Sequence, residues 1–184
     1  MKRCRLAASF LLTFIPLALG FVGQAHSSQQ ETVALKEVTP FVYCCLPASG
    51  PYTEIPNVIG RLMQNMQGQN IFPRGPMLGI YYSSPAEVKP EELTWELGFP
   101  VTEQATVQSP LVKKSWEHKT VAVALHVGPY EKAVETISKM LDWIGKNGCV
   151  VSGPLMERYL DMDPSRVKPE ELKTEIWIPC QKTK

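Results

Sequence analysis

From Phe41 onward, apolar residues change their spacing in a fixed order, and the order occurs twice. Phe41-Val42-Tyr43-Cys44-Cys45-Leu46 is a continuous apolar run rich in β-branched and aromatic residues, which predicts a buried strand. Pro47 to Pro51 is a turn. Ile55, Val58, Ile59, Leu62, Met63 and Met66 then recur at helical spacing, with Pro56 acceptable in the first turn and Gly68 marking the stop. Pro76 to Tyr82 and about Leu93 to Val101 predict two more strands, joined through Ser83-Ser84-Pro85 and Pro90-Glu91-Glu92. Thr102 to Lys119 is polar and irregular, a bridge whose one large apolar residue is Trp116. The order then restarts. Val121, Val123, Leu125 and Val127 alternate as in a strand, and Ala133, Val134, Ile137, Met140, Leu141 and Ile144 form a helical stripe ended by Gly148. Leu155 to Leu160 and Leu172 to Cys180 are the closing strands.

The recurrence extends to the residues themselves. Val88-Lys89-Pro90-Glu91-Glu92-Leu93 returns as Val167-Lys168-Pro169-Glu170-Glu171-Leu172, 79 positions later. Gly50-Pro51-Tyr52 returns as Gly128-Pro129-Tyr130, and Gly75-Pro76 as Gly153-Pro154, both at an offset of 78. One β-α-β-β unit is therefore written twice, over residues 38–101 and 120–181, with 102–119 as the bridge. The expected fold is α+β, with tandem β-α-β-β repeats related by a pseudo-twofold axis. Each half alone leaves a sheet face uncovered, and pairing the halves buries it while creating a central groove, the kind of place where small-molecule pockets form. Glu96 and Glu175 are equivalent carboxylates of the two halves. The Glu91-Glu92 and Glu170-Glu171 pairs are expected to start a strand or cap a helical turn, in solvent.

Composition adds less than the pattern does. An apolar content of 44% over 184 residues is that of an ordinary globular chain with one domain. Lys2-Arg3-Cys4-Arg5, the apolar run Leu6 to Val22 and the small residues of Gly23-Gln24-Ala25 read as a secretory signal over residues 1–25. The competing reading is an uncleaved membrane anchor, although the run falls short of the roughly 20 apolar residues that span a bilayer and contains Pro16. The expected location is periplasmic or secreted, with membrane association only if that segment is retained. Residues 26–37 read as a flexible tether. Without Lys2, Arg3 and Arg5 the 19 basic residues fall to 16 against 18 acidic ones, a balance with no footprint for nucleic acid. Cys44, Cys45, Cys149 and Cys180 remain in the mature chain; Cys149 and Cys180 flank a hairpin and are placed to meet, while buried free thiols are the other reading. No cysteine or histidine pair has metal-ligand spacing, so no metal is expected.

His126-Val127-Gly128-Pro129-Tyr130, the helix after it, Gly153-Pro154, the strand ending in Tyr159, Pro169-Glu170-Glu171-Leu172 and Thr174-Glu175-Ile176-Trp177-Ile178-Pro179 together resemble the GyrI-like small-molecule-binding family. That family includes the effector-binding domains of AraC-type and MerR-type multidrug regulators. Gly75-Pro76, Tyr81 and Glu96-Leu97-Gly98-Phe99-Pro100-Val101 echo the same boxes in the first half, so the resemblance covers about residues 38–181. It implies a tandem duplication of SHS2 type with a groove that accepts bulky hydrophobic or cationic organic molecules, and a carboxylate on the last strand answering the positive charge. Glu175 is the matching position and Glu96 its counterpart; Tyr159, Tyr81, Trp177 and Trp95 are candidates for aromatic walls. Trp177 shares a strand face with Glu175, whereas Trp95 lies opposite Glu96.

No helix-turn-helix segment precedes the domain, so the expectation is a stand-alone effector-binding domain without transcriptional coupling. Two alternatives remain open: hydrolysis of reactive small molecules by groove glutamates, as the resemblance allows, and a membrane-tethered interaction module. Hydrolysis lacks a nucleophile with its base and orienting group. The related SOUL fold binds haem, but no axial ligand stands out, so no cofactor is expected. His126 is expected to hold the Gly-Pro-Tyr turn rather than to catalyse. The partner is a small organic ligand, a lipophilic cation among the candidates.

Overall fold

The computed structural model describes residues 32–161 and 163–183. The predicted signal segment and the start of the tether lie outside the described residues. Nine strands and two helices follow in chain order: β1 (Ala34–Glu37), β2 (Phe41–Ser49), α1 (Ile55–Gly68), β3 (Met77–Tyr81), β4 (Thr94–Pro100), β5 (Val112–Trp116), β6 (Thr120–Val127), α2 (Ala133–Lys146), β7 (Cys149–Val151), β8 (Leu155–Tyr159) and β9 (Lys173–Lys182). The main sheet is antiparallel, in the order β1-β6-β9-β8-β3-β4-β2-β5, and β7 pairs with the far end of β9. The order reads the same from both ends once equivalent strands are exchanged. β3 and β8 meet at the centre, and the halves join there edge to edge.

Register fixes the axis. Gly79 pairs with Glu157, and these two residues are also equivalents at the offset of 78. The pseudo-twofold axis therefore passes between them. Both helices lie on one face of the sheet. α1 buries Val58, Leu62 and Met66 against Cys44, Leu46, Trp95 and Leu97. α2 buries Met140 and Ile144 against Ala122, Ala124, Ile176 and Ile178. Tyr81 and Leu155, directly paired across the seam, belong to these two clusters and so place them on the same side. The opposite face carries a third cluster, including Tyr43, Leu78, Ile80, Trp116, Met156 and Trp177. The Pro-Glu-Glu boxes form 3-10 turns at Pro90–Glu92 and Pro169–Glu171, with Glu91, Glu92, Glu170 and Glu171 exposed.

β2 runs on through Pro47-Ala48-Ser49, read from sequence as a turn, and β7 has no counterpart in the sequence reading. Two edge segments differ as well. Ala34–Glu37, expected in the tether, is strand β1, and Val112–Trp116, expected in an irregular bridge, is strand β5. They are equivalents of one another: Ala34 pairs with Val123 on β6, and Val112 with Cys45 on β2. Each edge strand closes the half it does not lead into, so the two halves exchange their outermost strands. The polar sequence is compatible with this because an edge strand needs backbone partners on one side only, and charged residues there protect the free edge. Side chains reinforce the exchange. Lys114 of β5 reaches Glu96 of β4 at 2.6 Å, and its equivalent Lys36 of β1 approaches Glu175 of β9 at 3.8 Å.

Candidate ligand-binding site

The helix-side floor of the seam is built from alternate residues of β3 and β8. Gly79 and Tyr81 come from one strand, Glu157 and Tyr159 from the other. Tyr81 and Tyr159 are exact counterparts, and their hydroxyls touch at 2.7 Å over the axis. Glu157 accepts a hydrogen bond from Tyr159 Oη at 2.7 Å, with Tyr81 Oη at 3.4 Å from the same oxygen. A Cβ at Gly79 would lie 2.8 Å from Tyr81 Oη and 3.0 Å from Tyr159 Oη. The duplication thus breaks its own symmetry at the axis, with a carboxylate in one copy and no side chain in the other. Two effects favour that asymmetry. Two carboxylates paired across one axis could not both ionise, and any side chain at Gly79 would force the tyrosines apart.

A second pair of tyrosines walls the site. Gly50 and Gly128 adopt φ of +98° and +140°, which an L side chain resists, and turn the chain so that Tyr52 and Tyr130 open the helical segments. The Tyr52 ring stands edge-on to Tyr81 with centroids 5.2 Å apart, and Tyr130 stands edge-on to Tyr159 at 5.4 Å. Four of the chain's six tyrosines therefore surround one glutamate with near-twofold symmetry. All four are half-buried.

Burial raises the pKa of Glu157, partly offset by the Tyr159 and Tyr81 hydrogen bonds and by the neighbouring His126 imidazole. Among the described residues no lysine or arginine forms an ion pair with it. Tyr159 is held neutral, chiefly by burial and then by the Tyr81 phenol and the Glu157 carboxylate. Burial and the Glu157 charge do the same for Tyr81. The tyrosines are therefore permanent donors and π faces, and Glu157 is the one titrating group between them. Such a site attracts a positive charge attached to apolar or aromatic groups. The carboxylate supplies Coulomb attraction, and each phenol face about 0.5–2 kcal/mol.

The residues expected from sequence divide between the two faces of the sheet. Tyr81 and Tyr159 are in the site. Trp95, 1% exposed, lies behind it, edge-on to Tyr52 and donating from Nε1 to the Gly50 carbonyl at 3.0 Å, so it supports the turn that aims Tyr52. Glu96, Glu175 and Trp177 point to the face away from the helices. Glu96, 1% exposed, accepts from Tyr43 Oη at 2.7 Å, Tyr82 Oη at 2.9 Å and Lys114 Nζ at 2.6 Å. Glu175 is bound by Arg158 and flanked by Lys36, and both cations lie over the Trp177 ring. The two glutamates are structural equivalents, but each already holds a cation, and both lie on the face of the sheet opposite Tyr81 and Tyr159.

Glu157, Tyr52 and Tyr130 are absent from the sequence-derived site. The signal for Glu157 was a mismatch between the copies, Gly79-Ile80-Tyr81 against Glu157-Arg158-Tyr159. His126 holds the turn as expected, with Nε2 3.1 Å from the Pro129 carbonyl oxygen and Nδ1 2.9 Å from Thr136 Oγ1. Cys44, Cys45, Cys149 and Cys180 are free, buried thiols, and Cys149 and Cys180 share the α2-side cluster.

The chain belongs to the family of GyrI-like small molecule binding domains, whose profile matches residues 31–181. No curated protein matches it. Its fold is similar to the C-terminal domain of EcmrR, with a TM-score of 0.74 and 19% identity over 84% of this chain and 99% of that one. Against EcmrR in its complex with DNA, the TM-score is 0.72 at 18% identity, over 83% of this chain and only 58% of that chain. A third similar structure is SAV2435 bound to tetraphenylphosphonium, with a TM-score of 0.57 and 16% identity over 82% of this chain and 94% of that one. At these identities the likeness concerns the fold.

Proposed function

We propose that this domain binds bulky lipophilic cations on the helix side of the β3–β8 seam. Glu157 answers the charge, and Tyr52, Tyr81, Tyr130 and Tyr159 enclose the organic body. The observation that carries this reading is a half-buried carboxylate on the pseudo-twofold axis, ringed by four tyrosines and without a lysine or arginine partner among the described residues. The tetraphenylphosphonium held by the similarly folded SAV2435 supports the ligand class. Entry of such a cation separates the Tyr81 and Tyr159 hydroxyls and turns their ring faces to the guest. The apolar run Leu6 to Val22 supports a domain that works after export, as a scavenger or sensor.

The test compares tetraphenylphosphonium with triphenylphosphine oxide, which is similarly aromatic but uncharged. A ligand that binds only the folded state raises the melting temperature in proportion to the logarithm of its concentration. The cation is expected to raise it at micromolar concentrations, and the neutral compound to have little effect at the same dose. Equal stabilisation by both, or by neither, would count against the proposal. Export is tested separately: the N-terminus of the mature protein is expected at His26.

A further inference from the structure

On the face of the sheet away from the helices, an open depression of about 510 Å³ lies at one end of the seam. It draws on both halves, with Lys36 and Phe41 from β1 and β2, Arg74 and Pro76 just before β3, Pro100 ending β4, and Arg158 and Trp177 from β8 and β9. Its charge is opposite to that of the tyrosine site. Lys36, Arg74 and Arg158 line it against one lining carboxylate, Glu37, which accepts a hydrogen bond from Thr120 Oγ1 at 2.8 Å. Arg158 is committed to the adjacent Glu175, and Lys36 stands 3.8 Å from the same carboxylate. Arg74 is exposed, and its guanidinium has no ion-pair partner among the described residues. The apolar part of the lining is flat: Trp177, Phe41 edge-on to it with centroids 6.5 Å apart, and the rings of Pro76 and Pro100.

The position related to it by the pseudo-twofold axis does not reproduce this chemistry. At the equivalent positions, Arg158 is replaced by Ile80, Trp177 by Gly98 and Arg74 by Ser152, while Lys114 is drawn onto Glu96. The depression is thus a second place, after the axis, where the two copies have diverged into one-sided chemistry.

From these observations we infer that the depression is a second ligand site, for an organic monoanion with a flat apolar body. The carboxylate or sulfonate binds Arg74 and Lys36, and the body lies on Phe41, Pro76 and Pro100. An anionic head between two cations at a surface rim forms charge-assisted hydrogen bonds, with arginine offering two parallel donors. The site is independent of the cation site, from which the sheet separates it.

Naphthalene-2-sulfonate is the probe, titrated into the purified protein by calorimetry. Binding is expected to weaken at least tenfold in Arg74→Glu and in Lys36→Glu, and to weaken with added salt. It is expected to be unchanged in Glu157→Gln and in the presence of saturating tetraphenylphosphonium. Arg74→Glu, altering an exposed side chain, is expected to keep the wild-type affinity for tetraphenylphosphonium, which shows that the variant is folded. Absence of sulfonate binding to the wild type, undiminished binding in both charge-reversal variants, or displacement of the sulfonate by the phosphonium would each overturn the inference. Failure of phosphonium binding alone would count against the tyrosine site and leave this test intact.

Discussion

Glu157→Gln removes one charge and keeps nearly the same shape, so it isolates what the carboxylate contributes. With a cationic centre about 5 Å from the carboxylate and an effective dielectric of about 20, the Coulomb attraction is about 3 kcal/mol. That corresponds to roughly a hundredfold in Kd. Partial hydration of both charges in the free state reduces the loss, so an affinity ten to a hundred times weaker is expected. The same change acts on the fold with the opposite sign. Burial raises the folded-state pKa of Glu157 above its ordinary value, so the ionised form is the destabilising one. This penalty is absent at pH values below the ordinary carboxylate pKa. It grows as pH rises between the unfolded and the raised folded value, and is full above both. Glu157→Gln is therefore expected to melt higher than wild type at pH 7. The difference is expected to vanish near pH 4. Calorimetric titration with tetraphenylphosphonium and melting curves across that pH range measure both effects. A variant that binds the cation within twofold of wild type would refute the reasoning, as would loss of binding in Glu175→Gln instead.

Other consequences follow from the same geometry. Cation affinity in the wild type is expected to rise with pH through the elevated pKa of Glu157, at higher pH than for an ordinary carboxylate, which a pH series of titrations would read. Gly79→Ala places a methyl 2.8 Å from Tyr81 Oη; a loss of about 1–3 kcal/mol by urea denaturation is expected, as for other overpacked sites. Lys114→Ala leaves Glu96 buried without its cation and is expected to cost about 3–5 kcal/mol. The equivalent Lys36→Ala, at an exposed and longer contact, is expected to cost under about 1 kcal/mol. Equal costs for the two would contradict the contrast between them. Burial pushes the Cys44 thiol up to about 11, so the folded protein is expected to resist thiol-directed alkylation at that residue at neutral pH, read by mass spectrometry after a short pulse.

Periodicity and repetition made the α1 and α2 stripes, the central strands and the pseudo-twofold arrangement legible, because those segments bury one face and must carry apolar residues at fixed spacing. β1 and β5 were not legible. Ala-Leu-Lys-Glu at 34–37 is exposed along its whole length, and its place in the sheet is set by backbone pairing to β6, which leaves no apolar signature. Tyr81 and Tyr159 of the proposed site could be found, because they recur in both copies. The acid between them could not be found in that way. A search for equivalent residues favours Glu96 and Glu175, which recur in both halves but face away from the helices, each beside a lysine of an exchanged edge strand. At the axis, in contrast, a Cβ on Gly79 would crowd Tyr81 and Tyr159, and the two copies differ there.

The most direct measurement is the crystal structure of the protein with tetraphenylphosphonium bound. The account predicts the phosphorus on the pseudo-twofold axis beside Glu157, phenyl groups against Tyr52, Tyr81, Tyr130 and Tyr159, and the Tyr81–Tyr159 hydroxyl contact of 2.7 Å broken. A cation seated beside Glu175 or Glu96 on the far face, with that contact intact, would contradict it.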